Sequence, residues 1–204
     1  MRKLLLVSAL LMSVVPLFAA KPMRVTKGSL NIFKEDAAAI WSIDLTDAQF
    51  VNNGIFAKEK LGDFQTWAGD GYEELVQLME TSFFDTFNIF SPGMELVNAE
   101  EAPYRVYFKV DTLERAQGSG RLGSCYISLY GTLRVVDTAT GDVELELQVT
   151  DAKGEEDVED APRFPKAMKR FCREMFKNDQ IKYTYEEVGS HRPGDDEHPF
   201  RGML

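Results

Sequence analysis

The sequence predicts an α+β fold, with one mainly antiparallel sheet and two helices on one of its faces. Four segments alternate apolar and polar residues with a period of two, and two longer segments repeat apolar residues every three or four positions. These elements follow the order strand, helix, strand, strand, strand, helix. Because each has a single apolar side, we expect both helices to cover the same face of the sheet.

The first strand is predicted over residues 39–46. Its alternate positions are apolar, namely Ala39, Trp41, Ile43 and Leu45. This period of two is typical of a strand with one buried face. Residues 21–36 have a weaker pattern and could add one more short strand.

The first helix is predicted to begin near Asp70 and to end before Pro92. Asp70 can accept hydrogen bonds from the first turn, and Glu73 follows three residues later, as in a capping box. Apolar residues recur at helical spacing at Tyr72, Leu75, Val76, Met79, Phe83, Phe87 and Phe90. This stripe indicates core packing more than it indicates a cofactor site.

Three further strands are predicted, and the last two form a hairpin. The strands lie over residues 104–111, 125–135 and 143–150. The hairpin turn is Ala139-Thr140-Gly141, where glycine suits the left-handed conformation that such a turn requires. With this turn, Arg134 is expected to lie opposite Glu146 and to form a surface ion pair.

The second helix is predicted over residues 162–178. Its apolar arc comprises Phe164, Ala167, Met168, Phe171, Cys172, Met175 and Phe176, and its opposite side is basic. The stretch 151–160 before it contains six acids and one lysine and is expected to be a solvated loop. These acids are a simpler partner for the basic side than an anionic ligand or a membrane surface.

The termini suggest export of a single domain. Residues 1–20 have a charged start followed by a short apolar run, as in a signal peptide that is cleaved near Ala19 or Ala20. The expected location is therefore periplasmic or secreted. Residues 21–178 form the predicted domain, and residues 179–204 are expected to be a disordered acidic tail.

Charge and composition limit the classes of partner. Lys and Arg number 23 against 33 Asp and Glu, which gives a net charge of −10 and argues against nucleic-acid binding. No segment after residue 20 is apolar enough for stable membrane insertion. With two cysteines and two histidines (His191 and His198, both in the tail), we expect no metal and no cofactor. The glycines of Gly118–Gly123 match a dinucleotide-binding pattern but lie between two strands, so a loop is favoured.

The sequence predicts no catalytic residues. No histidine lies in the predicted domain, so neither Cys125 nor Cys172 has an imidazole base and a serine triad lacks its central member. Carboxylates alone keep an enzyme as an alternative. The two cysteines are instead candidates for a disulfide, because both lie on apolar faces and an exported protein enters an oxidising compartment.

The uncovered face of the sheet is the predicted partner-binding surface. It is expected to carry Arg105, Tyr107, Lys109, Tyr126, Tyr130 and Arg134. Tyrosine and arginine are enriched at interface hot spots. The predicted function is therefore a soluble, non-enzymatic envelope accessory module that binds another protein or an envelope component. The alternative is a small-molecule or glycan binder, or a degenerate hydrolase.

Three phrases of the sequence carry a resemblance. Lys21–Val25, Thr66–Glu73 and Gly131–Asp137 with Thr140-Gly141 resemble a family of uncharacterised exported proteins from Gram-negative gut anaerobes. The layout is more distantly similar to the α/β domain of envelope accessory lipoproteins, such as the curli-secretion component and transporter-auxiliary lipoproteins. The resemblance implies an interaction role and transfers no active-site residue.

Overall fold

The computed structural model describes residues 23–53, 58–118, 123–157, 159 and 162–177. They form an α+β fold, which confirms the predicted class. The strands are β1 Met23–Gly28, β2 Ala38–Asp44, β3 Gln49–Asn53, β4 Lys58–Asp63, β5 Glu95–Leu96, β6 Tyr104–Gln117, β7 Cys125–Asp137 and β8 Val143–Lys153. The helices are α1 Phe64–Ala68, α2 Tyr72–Phe90 and α3 Arg163–Phe176, with short 3₁₀ turns at Leu30–Lys34 and Gly69–Gly71.

The eight strands form one sheet in the order β1-β8-β7-β6-β2-β5, with β3 and β4 beside the far half of β6. Strands β1, β8, β7 and β6 pair antiparallel. Strands β2 and β3 pair parallel with the first and second halves of β6, so they lie end to end along its edge. Strand β5 pairs with only two residues of β2, and β4 pairs with β3. The sheet thus has one regular antiparallel half and one segmented edge.

The hairpin between β7 and β8 forms, but its turn is one residue longer than predicted, because the N–H of Asp137 donates to the carbonyl of Asp142 at 2.9 Å and closes a loop over residues 138–141. Gly141 has a φ of 77°, and its N–H donates to the carbonyl of Asp137 at 2.9 Å. Arg134 lies opposite Glu146 in the ladder, and the two side chains form an ion pair at 2.8 Å. The predicted pairing of Arg134 with Glu146 is confirmed, and a register shift between Val135 and Val136 compensates for the longer turn.

The start of the first long helix differs from the prediction. Its capping residue is Gly71, and Asp70 makes no capping hydrogen bond, so the predicted capping box is wrong. The acid that caps a helix here is Asp63, which accepts the N–H of Thr66 at 2.8 Å at the start of α1. The helix α1 and a 3₁₀ turn come directly before α2. The backbone is therefore already helical at Asp70, which is not the residue that precedes a helix start.

The core lies between the sheet and the two long helices. Phe171 of α3 stacks on Phe108 of β6 with ring centroids 4.8 Å apart, and it also contacts Phe83 of α2 at 5.9 Å. All three rings have no exposed surface. The whole predicted apolar arc of α3 is buried, which confirms that face assignment.

The acidic stretch before α3 is more ordered than predicted. Residues 151–153 belong to β8, and the buried Gly154 donates its N–H to the carbonyl of Ile127 at 2.7 Å. Asp157 pairs with Lys166 and Glu155 with Arg173, so the acids hold the basic side of α3. The expectation of a purely solvated loop is wrong, while the expected internal pairing is confirmed.

Several sequence predictions lie outside the described residues. These are the signal peptide over residues 1–20, the tail over residues 179–204 and the two histidines within it, and the centre of the glycine-rich loop, residues 119–122. None of the described helices has the length and hydrophobicity needed to cross a membrane.

Candidate functional site

One face of the sheet carries no helix among the described residues, and we call it the open face. On β6, Val106, Phe108 and Val110 point into the core and have no exposed surface. The alternate residues therefore point away from the core. Of these, Arg105 and Lys109 are exposed to solvent and Tyr107 is half-buried.

A row of polar side chains crosses the centre of the open face. The hydroxyl of Tyr107 donates to Oδ2 of Asp44 on β2 at 2.5 Å. Arg134, which lies opposite Tyr107, donates through Nε to Oε2 of Glu146 at 2.8 Å. The hydroxyl of Thr26 on β1 donates to Oε1 of the same glutamate at 2.8 Å. Tyr107 and Arg134 are therefore held by partners within the chain.

These contacts lower the pKa values of the two carboxyl groups in the row and raise the pKa of the phenol. Hydrogen bonds from Thr26 and then Arg134 lower the pKa of Glu146. The hydrogen bond from Tyr107 lowers the pKa of Asp44. Burial, followed by the hydrogen bond to Asp44, raises the pKa of Tyr107 to about 12. At neutral pH the row consists of charged carboxylates and a neutral phenol that acts as a donor.

A bulge in β6 divides the open face into two parts. The register with β7 shifts between Val110 and Thr112, so Thr112, Glu114 and Ala116 lie on the open face beyond it. Tyr130 lies opposite Thr112, and Tyr126 lies opposite Ala116. The six predicted residues therefore share one face but form two groups, with Arg105, Tyr107, Lys109 and Arg134 before the bulge and the two tyrosines beyond it.

Glu114 is a functional candidate that the sequence prediction missed. It is 6% exposed and accepts hydrogen bonds from Nδ2 of Asn53 at 2.8 Å and from Nζ of Lys58 at 2.5 Å. Strict alternation from Phe108 would have placed it on the core side, and no residue of β6 signals the bulge. Close by, burial and then the negative charge of Asp151 raise the pKa of Tyr130 to about 12.

A groove lies beside the sheet edge, between α2, β2 and the segment after β5. It has a volume of about 580 Å³. Its lining includes the apolar residues Ile40, Trp41 and Phe84 and the acidic residues Glu80, Asp85 and Glu100. A second recess of about 630 Å³ shares Ile40 and Glu100 with it and reaches Arg105 on the open face. This groove was not predicted, because its walls come from three separate parts of the chain.

Trp41 links the groove to the core. Its ring is stacked on Phe83 with centroids 3.9 Å apart. Its indole Nε1 is buried and has no hydrogen-bond partner among the described residues. A buried donor of this kind ordinarily has a partner, so Trp41 carries an unsatisfied polar atom within the described residues.

The candidate disulfide is not formed in the structure, where Cys125 and Cys172 are free thiols. Cys125 exchanges backbone hydrogen bonds with Asp157, whose carbonyl accepts from Arg163 in the first turn of α3. Cys172 lies nine residues further along that helix, which is about 14 Å along its axis. A disulfide requires Cα atoms within about 7 Å. Burial raises the pKa of the Cys172 thiol well above its ordinary value.

The carboxylates do not gather into a metal site in the part of the chain that the structure describes. There, no three side chains of the His, Cys, Asp and Glu types lie close enough together to hold a metal ion. Of the predicted partner-binding residues, Arg105, Tyr107, Lys109 and Arg134 lie around the polar row, and the two tyrosines lie beyond the bulge. The two cysteines of the candidate disulfide lie apart.

Comparison with known proteins gives only distant similarity in structure. No family model and no curated protein matches the chain. The PelC dodecamer subunit of Paraburkholderia phytofirmans is 12% identical, with a TM-score of 0.39, and the match covers 76% of this chain and 96% of that one. A Xanthomonas campestris protein of family DUF330 is 8% identical, with a TM-score of 0.41 and coverage of 81% and 96%. A Helicobacter pylori protein described as a neuraminyllactose-binding hemagglutinin homologue is 11% identical, with a TM-score of 0.36 and coverage of 76% and 90%.

Proposed function

We propose that the protein is an exported, non-enzymatic module that binds another protein or an envelope component through the open face. The observation that carries this proposal is the absence of any covering helix on that face among the described residues. Both long helices pack on the other side, where Met79, Phe83 and Phe87 of α2 and the apolar arc of α3 are buried, while Phe90 at the end of the predicted α2 stripe is 39% exposed. The open face is therefore available for contact over five neighbouring strands.

The chemistry of the open face suits a broad protein contact. Arg105 and Lys109 have exposed, charged ends, while Tyr107 and Tyr126 present half-buried rings. Large amphipathic side chains of this kind dominate binding energy at protein interfaces. Opposite charges lie side by side in the Arg134–Glu146 pair. The surface is therefore expected to favour a partner whose own charges alternate in sign over a partner that carries charges of one sign only.

The arrangement favours binding over catalysis. Tyr107 and Tyr130 each have a pKa near 12, so they stay protonated at neutral pH and are poor general bases. Within the polar row, Asp44 already accepts from Tyr107, and Glu146 already accepts from Arg134 and Thr26. A general base must instead be free to reach a substrate proton.

Export is part of the proposal and has a direct test. The full chain expressed in a Gram-negative host should be recovered from the periplasmic fraction, shortened by the segment that ends at Ala19 or Ala20. Amino-terminal sequencing of the recovered protein identifies the cut. A product that keeps Met1 and sediments with membranes would contradict export.

Binding through the open face can be tested by site-specific crosslinking. A photoreactive amino acid is placed at Lys109 or at Gln148, which are exposed positions of the same cross-strand row. The control position is the exposed Lys169 on α3. Irradiated cells should give a discrete larger adduct from the two open-face positions and none from the control. Equal adducts from all three positions, or adducts from the control alone, would refute the open face as the contact surface.

The alternative of a small-molecule or glycan binder rests on the groove. Its volume of about 580 Å³ falls in the range of ligand pockets. A sugar, however, binds by stacking on an aromatic face, and one of the two faces of the Trp41 ring is already occupied by Phe83. We therefore keep the protein-binding module as the proposal.

A further inference from the structure

The edge of β2 is left open between two short neighbouring strands. Strand β5 pairs with β2 only at Ala38 and Ala39, and then the chain turns away. Further along the same edge, β4 pairs with β3 and not with β2. In the described chain, residues 40–44 of β2 therefore have a partner strand on one side only, which is β6.

The backbone groups that face this open edge can be identified from the ladder. The carbonyls of Ala37 and Ala39 accept from Glu95 and Val97, so the odd-numbered residues point toward β5. Successive residues of a strand direct their N–H and C=O groups to opposite edges. Trp41 and Ile43 therefore direct theirs to the open edge, while Ser42 directs its own to β6. Unpaired groups in such a row form a template for another strand.

The groove described above lies directly along this open edge. Its lining includes Ile40 and Trp41 of β2, Phe84 of α2 and Val97, which follows β5. The backbone pairing between β5 and β2 ends at Val97. An added strand would pair with β2 beyond that point, next to Trp41 and Ile43.

The charge of the groove selects the chemistry of its occupant. Glu80, Asp85 and Glu100 line it, and no lysine or arginine is among its lining residues. A peptide with lysine or arginine on alternate positions would place ammonium or guanidinium groups near these carboxylates. An acidic peptide would meet like charges at the same positions.

We propose that the open edge of β2 binds a short, extended, basic segment of a partner protein by strand addition. Main-chain hydrogen bonds to Trp41 and Ile43 would provide affinity, and the three carboxylates would provide selectivity. The site lies at the sheet edge and does not depend on the open face. The two proposals can therefore fail separately.

The first test uses a fluorescein-labelled synthetic peptide of alternating lysine and valine, as long as the open edge. We expect saturable binding in fluorescence anisotropy. The same peptide with glutamate in place of lysine, and a version N-methylated on alternate backbone nitrogens, should not bind. Glu80→Gln, Asp85→Asn and Glu100→Gln together should weaken binding about tenfold. A matched triple variant at exposed acids elsewhere, with Glu74, Glu144 and Glu159 changed to Gln, should leave it unchanged.

The second readout is amide hydrogen exchange at single residues of the wild-type protein. The N–H groups of Trp41 and Ile43 should exchange fast in the free protein and become protected with the lysine–valine peptide. The N–H of Ser42, which is bonded to β6, should be protected in both states. This pattern separates strand addition from nonspecific attraction to an acidic protein.

Three results would overturn the proposal. The first is the absence of binding by the lysine–valine peptide, and the second is equal binding by its N-methylated version. The third is protection of Trp41 and Ile43 in the free protein that rises with protein concentration. That result would mean that a second copy of the chain occupies the edge.

Discussion

On the side covered by α2 and α3, Phe108 of β6 packs against Phe171 with no exposed surface, whereas Arg105 and Lys109 of the same strand are exposed on the open face. The covered side is held by aromatic packing, with few polar atoms. The open side is held by specific pairs such as Tyr107 with Asp44. The same strands therefore supply stability on one side and an accessible, patterned surface on the other.

This contrast predicts different consequences for changes on the two sides. Loss of a buried ring removes transfer free energy and leaves a cavity. Loss of an exposed ion pair removes an interaction that water largely replaces. Covered-side variants should therefore alter folding, and open-face variants should alter contacts with partners.

The largest difference is expected in thiol reactivity. Cys172 is fully buried on the covered side, so a thiol reagent should reach it only through unfolding, about a thousandfold or more slowly than an accessible thiol. Cys125 lies half-buried at the start of β7 and should react in the folded protein. Titration with a colorimetric disulfide reagent, before and after denaturation, measures both. Absence of free thiols in denatured, unreduced protein would mean that the pair is bridged.

The next effect is loss of a core ring. Phe83→Ala should lower the free energy of unfolding by about 3–5 kcal/mol, because Phe83 is fully buried and packs on Trp41, Phe87 and Phe171. Phe90→Ala, at a ring that is 39% exposed on the same helix, is the matched control and should cost far less. Urea denaturation of both variants tests this, and equal losses would contradict the assignment of the two sides.

Glu114 should be the exception on the open face. Glu114→Ala should lower the free energy of unfolding by about 1–3 kcal/mol, because Asn53 would lose the acceptor of a part-buried hydrogen bond. Glu144→Ala, at an exposed position of β8, should change stability by less than about 0.5 kcal/mol. If both variants unfold at the same urea concentration, the buried role of Glu114 is wrong.

Alkaline titration tests the polar row. Raising the pKa of Tyr107 to about 12 favours its neutral form in the folded state, so this contribution to stability is complete below about pH 10 and is lost as the pH rises toward 12. Absorbance of ionised tyrosine should show a late-titrating group that Tyr107→Phe removes. If the Tyr107→Phe protein instead loses a tyrosine that ionises near pH 10, the contact of Tyr107 with Asp44 is contradicted.

The smallest effect is expected at the ion pair between β7 and β8. A double-mutant cycle with Arg134→Ala and Glu146→Ala should give a coupling of a few tenths of a kcal/mol, since both side chains are about a third exposed. Thermal unfolding of the four proteins measures it. A coupling above about 2 kcal/mol would mean that the open face contributes to stability in the way the covered side does.

The sequence predicted the features that depend on near neighbours. The left-handed glycine of the turn and the alternation of β7 and β8 are local, and the predicted pairing of Arg134 with Glu146 is found once a register shift beside the turn is included. The apolar arc of α3 follows from helical spacing alone. In these cases, the residues that determine the structure lie within one or two elements of each other.

The features that the sequence did not predict depend on distant parts of the chain. The pairing of β2 with β6 joins residues such as Trp41 and Val106, and β5 has only two residues, which is too short for any periodicity. The bulge after Val110 changes which side chains face the helices without a signal in the residues themselves. The groove combines β2, α2 and the segment after β5, so it became visible only in the folded chain.

The most direct test of the account is lysine accessibility in cells compared with purified protein. Isotopically coded acylation would compare Lys109 and Lys153 on the open face with Lys169 on α3, all of which are exposed in the structure. The account predicts that Lys109 and Lys153 are labelled less in cells than in the purified protein, while Lys169 is labelled equally in both. Equal labelling of all three lysines in the two samples, or protection of Lys169 alone, would contradict the open face as the binding surface.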